Sequence, residues 1–173
     1  MKRRSALRKI ALTPLFLGIA GCGFRLRGTA ELPFSTLYVP GASGGIALDL
    51  ARNIRAGTNV TVVPEAKGAD AILQLTAEVR EKEILSLTGA GRVREFRLRY
   101  RVGFRVHDGK GNDYVPQNTL ELTRDVSFND AEVLAKEAEE QLLYRDMQTD
   151  MVQQILRRLA AAQKPAQALR PQG

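Results

Sequence analysis

The sequence predicts an α+β two-layer sandwich, a mixed and mostly antiparallel sheet of four to five strands covered on one face by two helices. Three observations predict it. A short strand–helix–strand unit opens the domain, three longer runs with period-two apolar patterning follow, and one long amphipathic stretch comes last. The 173 residues suit one domain and are too few for two full-sized cores. Their apolar content of 44% is that of a folded chain.

Thr36–Val39 (TLYV) reads as a strand closed by Pro40-Gly41. Ile46, Leu48, Leu50, Ala51 and Ile54 then support a short helix that ends at Gly57. Asn59–Val63 is a second strand, stopped by Pro64, and a helix between two strands favours parallel pairing. In Ala71–Val79 the residues Leu73, Leu75, Ala77 and Val79 share one face, while Gln74, Thr76, Glu78 and Arg80 share the other. In Val93–His107 the even positions from Phe96 to Val106 are apolar, and Arg97, Arg99, Arg101 and Arg105 form a ladder opposite them. Leu120–Phe128 repeats the alternation, apart from Arg124 on its apolar side. Gly89-Ala90-Gly91 and Asp108–Asn112 supply the turns of a meander with one oily and one charged face.

The oily face needs a cover. Asn129 followed by Asp130-Ala131-Glu132 has the pattern of a capping box. No Gly or Pro interrupts the stretch from there to about Ala162. Leu134, Ala138, Leu142, Met147, Met151, Ile155 and Leu159 recur at helical spacing along it, with a bend expected near Arg145.

The chain begins with a different kind of segment. Lys2, Arg3, Arg4, Arg8 and Lys9 precede the apolar run Ile10–Ala20, the order of a secretory signal. The net charge of +7 falls to +2 once those five basic residues are removed, so the charge is no argument for a nucleic-acid partner. Ile19-Ala20-Gly21-Cys22 resembles a bacterial lipobox, with Cys22 as the lipid-carrying first mature residue. Ordinary cleavage after Ala20 would instead leave a lone thiol exposed in an oxidising compartment. Acyl chains contribute about 0.8 kcal/mol per buried methylene, enough together for a firm membrane anchor. Gly23 stands where an Asp would resemble an inner-membrane retention signal, which directs the expectation to the outer membrane. The organisation expected is therefore residues 1–21 as a removed signal peptide, 22–33 as a lipidated tether, 34–163 as one domain and 164–173 as a flexible tail.

Composition excludes several chemistries. One Cys, one His and no Trp leave too few partners for a Cys/His zinc site, a disulfide framework or a Cys–His nucleophile pair. No run reaches the ~18 to 20 apolar residues of a spanning helix. Gly41–Gly45 precedes a helix but lacks the Lys-Ser/Thr of a phosphate loop, and reads as a flexible connection. His107 stands beside Asp108 at a strand end with no identifiable nucleophile, which fits a turn residue better than a hydrolase. The carboxylates of Glu137, Glu139, Glu140, Asp146 and Asp150 lie amid basic residues, as on a solvated helix face. No catalytic residue, metal ligand or cofactor site is expected. The arginine ladder suits either phosphate binding or, more simply, pairing with Glu78, Glu121 and Asp125 on neighbouring strands. Arg92 and Arg94, near the Gly89–Gly91 turn, are better placed for a ligand than mid-strand arginines.

The succession Cys22-Gly23-Phe24-Arg25-Leu26-Arg27-Gly28, then Glu95-Phe96, then Arg124 through Leu134-Ala135-Lys136 and Asp146-Met147 to Arg158-Leu159 resembles the LptE family of lipopolysaccharide-assembly lipoproteins. The resemblance implies two helices against a mostly antiparallel sheet. It further implies a non-enzymatic plug and assembly partner within the lumen of the outer-membrane barrel LptD, and contact with lipopolysaccharide through basic residues. Lys136 falls on one such basic position. The other, in the turn before Glu95-Phe96, falls near Gly89, where this chain departs from the pattern and Arg92 or Arg94 would have to substitute. The alternative is an outer-membrane lipoprotein that binds another acidic envelope polymer without a barrel partner.

Overall fold

The computed structural model describes residues 31–163. The signal segment, Cys22 and the motif up to Gly28, and the 164–173 tail lie outside the described residues. β1 (Thr36–Tyr38) leads into α1 (Gly45–Gly57), which returns the chain to β2 (Thr61–Val63). Three long strands follow, β3 (Ala71–Leu87), β4 (Val93–His107) and β5 (Asp113–Ser127). A single 3-10 turn, Asp130–Glu132, then opens into α2 (Val133–Ala160). The sheet order is β2-β1-β3-β4-β5. β1 lies parallel to β2 and to the start of β3, as the α1 crossover requires, and the β3-β4-β5 meander is antiparallel.

Both helices cover one face. Ile46, Leu50 and Ile54 of α1, and Met147, Met151, Ile155 and Leu159 of α2, are completely buried against Leu98, Tyr100, Val102, Phe104 and Val106 of β4. The expected α+β sandwich is therefore observed, with five strands.

Three local readings change. The first is the face of β3. Between Leu75 and Ala77 the register with β4 slips by one residue, so that Leu75 opposes Phe104 and Ala77 already opposes Gly103. Thr76 is the extra residue of a bulge, and the side chains from Ala77 to Ile84 change face, up to a second irregularity at Ser86. Glu78, Arg80 and Lys82 therefore oppose Val102, Tyr100 and Leu98 on the helix side, while Glu81 and Glu83 oppose Arg99 and Arg97 on the other. Gly103 makes the bulge possible, because a Cβ there would meet the Thr76 Oγ1 at 2.6 Å.

The second is the extent of the strands. β3 runs on to Leu87, not Val79, and β5 starts at Asp113, not Leu120. Polar alternation past Val79 hid the rest of β3. Pro116 masked the start of β5, yet it is accommodated on an edge strand, where the register with β4 is irregular between Phe104 and Val106.

The third is the cover. Asn129 Oδ1 accepts from the Ala131 N–H at 3.1 Å and so caps the 3-10 turn, whereas α2 begins at Val133 without a side-chain cap. The helix continues through Arg145 without interruption. Leu134 is 82% and Leu142 56% exposed, and Ala138 is exposed too, so the expected apolar stripe is buried only in its second half, from Leu143 and Tyr144 onward. The reason is the bulge, which turns a charged stretch of β3 toward the first turns of α2.

Candidate functional site

Four arginines project from the helix-free face of the sheet. Arg97 holds Asp125 through two donors at 2.8 and 2.9 Å. Arg99 reaches Glu83 at 2.8 Å and Glu121 at 3.2 Å, Arg101 reaches Glu121 at 3.1 Å, and Arg105 reaches Asp113 at 2.8 Å. The Asp125 carboxyl is held below its ordinary value, first by the hydrogen bond from Arg97, and the Arg97 guanidinium is raised in return. Each arginine is matched by a carboxylate on the next strand, so this face is polar but not an anion trap. Glu121 and Asp125 pair as the alternation suggested. Glu78 does not, because the bulge puts it on the opposite face, where it accepts from the Tyr100 hydroxyl at 2.8 Å.

The middle of the helix–sheet joint is polar and interlocked. The Arg80 guanidinium lies 5.1 Å from the Tyr100 ring centroid and 5.6 Å from that of Tyr144, and donates to Gln148 Oε1 at 2.6 Å. Gln148 in turn donates to Asp49 of α1 at 2.6 Å, and the Tyr144 hydroxyl donates to the Glu81 carbonyl at 2.8 Å. Burial, then Glu78, pushes the Tyr100 phenol well above its ordinary value. Arg124, the exception on the apolar side of β5, pairs with Asp150 of α2 at 2.9 Å.

The expected ligand residues gather at the far end, where the β3-β4 turn, the end of β5 and the start of α2 meet. The turn is closed by Gly91 N–H to Thr88 carbonyl at 2.9 Å, with Gly91 at φ 77° in the left-handed region that favours glycine. Arg92 emerges from it 73% exposed, with Nη1 3.8 Å from the Asp130 carboxylate. Arg94 is exposed and makes no ion pair among the described residues, although its carbonyl accepts from Phe128 N–H at 2.8 Å. Lys136 is more enclosed, with a side chain only 18% exposed. Its Nζ donates to Ser127 Oγ at 3.2 Å and Glu139 Oε2 at 2.9 Å. Lys136 and Arg92 thus come to one end, Arg92 beside the turn that leads into the helix carrying Lys136.

Sequence reasoning missed Lys82. Its Nζ lies 4.3 Å from the Phe96 ring centroid and 2.6 Å from Glu140 Oε2. The expected strand stops at Val79, short of Lys82, and it is the bulge that brings Lys82 beneath α2. Lys82 and Lys136 line a cleft of about 180 Å³ together with Phe96, Val126, Phe128 and Val133. His107 serves as a turn residue, its Nδ1 accepting from the Gly109 N–H at 3.1 Å.

Comparison with known proteins is consistent across the domain. The chain is 28% identical over 153 residues to the LPS-assembly lipoprotein LptE of Photorhabdus laumondii, covering 84% of this chain and 83% of that protein. It is 32% identical over 154 residues to the protein of the same name from Yersinia pestis, covering 84% and 73%. Among solved structures it resembles the solution structure of an uncharacterized lipoprotein B from Nitrosomonas europaea, with a TM-score of 0.69 and 47% identity over 80% of this chain and 91% of that one. The crystal structure of the rare lipoprotein B from Shewanella oneidensis gives a TM-score of 0.62 at 27% identity, over 76% and 94%. The LptE lipopolysaccharide-assembly family model spans residues 34–159, and with that span matched, this chain belongs to the LptE family.

Proposed function

We propose that this protein is a non-enzymatic, lipid-anchored subunit of the outer-membrane machinery that assembles lipopolysaccharide. In this reading residues 1–21 are removed, Cys22 carries the lipid, 22–33 form the tether to a domain over 34–163, and 164–173 trail from it. The domain plugs the barrel LptD. The observation that carries the reading is family membership over the whole sandwich. The helix-free face supports the plug role, because its ion-paired arginines and carboxylates suit a polar lumen better than an oily surface. Lys136, with Arg92 and Arg94 in place of the missing basic residue at Gly89, offers cations to the phosphates of lipopolysaccharide.

Two experiments test this. Full-length tagged protein, expressed with its own signal, is recovered from detergent-solubilised outer membrane. One large barrel protein at near-equal stoichiometry is expected, and clean recovery of the lipoprotein alone favours the polymer-binding alternative. Lys136→Asp combined with Arg92→Asp is expected to weaken lipopolysaccharide binding while the fold survives. Undiminished affinity in the folded double variant removes these residues from the site.

A further inference from the structure

The helix α2 changes its apolar side along its length. In its second half Met147, Met151, Ile155 and Leu159 are buried in the core. In its first turns the side toward the sheet carries Lys136 and Glu140, which meet Ser127 and Lys82 of the strands. The apolar residues of those turns stand on the opposite side. Leu134, Ala138 and Leu142 recur every four residues with Ala135 beside them, and all four are exposed. A stripe that the core does not use is free for another molecule.

The charge around the stripe narrows the choice. Between residues 130 and 146, Asp130, Glu132, Glu137, Glu139, Glu140 and Asp146 stand against Lys136 and Arg145 alone. Arg92 engages Asp130, Lys136 engages Glu139 and Lys82 engages Glu140. Glu132, Glu137 and Asp146 form no ion pair among the described residues. Leu134 and Ala138 line an open groove of about 520 Å³ with Lys82, Glu137, Glu140 and Gln141. Lys82 is matched by Glu140, so Glu137 leaves the groove net negative. The volume lies within the roughly 300–1,000 Å³ of a ligand-sized cleft, room for a long cationic side chain. Lipid phosphate is repelled by such a rim, and two copies of this face would set carboxylate against carboxylate.

We propose that the outer side of α2 from Leu134 to Leu142 docks a segment of the barrel partner whose apolar side chains alternate with lysine or arginine. Leu134 and Leu142 cover the apolar side chains, and the small Ala135 and Ala138 let the segment come close. Glu137 in the groove and Asp146, one turn beyond Leu142, take its cations. The proposal rests on the barrel-partner reading above, and adds to it a face of this chain and the chemistry that the face selects.

The test places a photoreactive benzophenone side chain at Leu134 or at Leu142 in the full-length protein, in growing cells with its partners present. Both positions are exposed, so neither substitution enters the core. The joined fragment is identified by mass spectrometry, and co-recovery of the barrel protein is measured in the same samples. The expected result is one segment of the barrel protein captured from both positions, with lysine or arginine among its apolar residues. Glu137→Lys combined with Asp146→Lys is expected to lower the yield of that adduct by at least about tenfold. Changing the captured segment's basic residues to glutamate should then restore it. A second copy of this chain, a lipid or a different protein at these positions overturns the choice of occupant. A neutral or acidic segment, or a yield indifferent to the charge reversal, overturns the chemistry. Co-recovery of the barrel protein with no adduct at either position overturns the face and leaves the partner reading intact. No adduct and no barrel protein removes both.

Discussion

Near β1, β2 and α1, the side chains of Leu73, Phe104, Val106 and Leu159 are completely buried, whereas at the opposite end Ile84 and Leu134 are 59% and 82% exposed. The same strands and the same helix run through both regions. What differs is which side of β3 faces α2. Before Thr76 the strand presents Leu73 and Leu75 to the helix layer, and after it Glu78, Arg80 and Lys82. One end is held by burial, which ionic screening does not weaken. The other is held by charged and aromatic interlocks, and keeps apolar groups available at its surface. A one-residue bulge is enough to set a buried end and a charged, exposed end on the same strands.

The sharpest way to break this comparison is to truncate one residue from each end. Phe104→Ala is expected to cost about 3–5 kcal/mol in urea unfolding, while Leu134→Ala stays within about 0.5 kcal/mol. Similar losses from both would show that the far end is part of the cooperative core after all.

Next in size is the bulge itself. Gly103→Ala sets a methyl against the Thr76 Oγ1 and is expected to destabilise the protein by about 1–3 kcal/mol. Thr76→Ala in the same chain removes the clashing oxygen and should recover part of that loss, read as a non-additive double-mutant cycle. Strict additivity would mean that the two residues do not meet.

A smaller effect separates the joints. Lys82→Met breaks the contact with Glu140, and a partly exposed pair of this kind is worth up to about 1 kcal/mol. The loss should shrink in high salt, whereas the Phe104→Ala loss should not. A salt-independent Lys82→Met penalty would assign the far end to packing instead of charge.

The smallest effect lies in the β4-β5 turn. The Asp108 carboxylate accepts from the Asn112 side chain at 2.7 Å and the Lys110 N–H at 2.7 Å. These contacts, the Asn112 side chain foremost, lower its pKa from the ordinary 3.8 to about 2. A carboxyl lowered in the folded state stabilises that state above its unfolded value, and the contribution disappears as pH falls from about 4 toward 2. Asp108→Asn should therefore flatten the acid limb of the stability curve slightly in that window, in thermal melts across pH. An unchanged limb would show that the turn is not anchored by the ionised group.

Much of this was legible in the residues. The β4 alternation from Phe96 to Val106 identified the core face because one unbroken period of two leaves no choice of side. The parallel pairing of β1 and β2 followed from the helix between them. Met147, Met151, Ile155 and Leu159 were recognisable as the buried stripe because helical spacing alone brings them together. Lys136 stood out through a family resemblance and Arg92 through its place beside a glycine turn, and the fold does bring them to one end, whereas Lys82 carried no such signal.

Local patterning thus settled the kind of elements and the oily face of β4, since each depends only on neighbours along the chain. Tertiary structure settled the side on which the second half of β3 lies, the partners of Glu78 and Arg124, and the exposure of Leu134 and Leu142. Those depend on a register slip between two strands, where Gly103 of β4 leaves room for Thr76 of β3. Strand periodicity is read one chain segment at a time, but a bulge exists only between two.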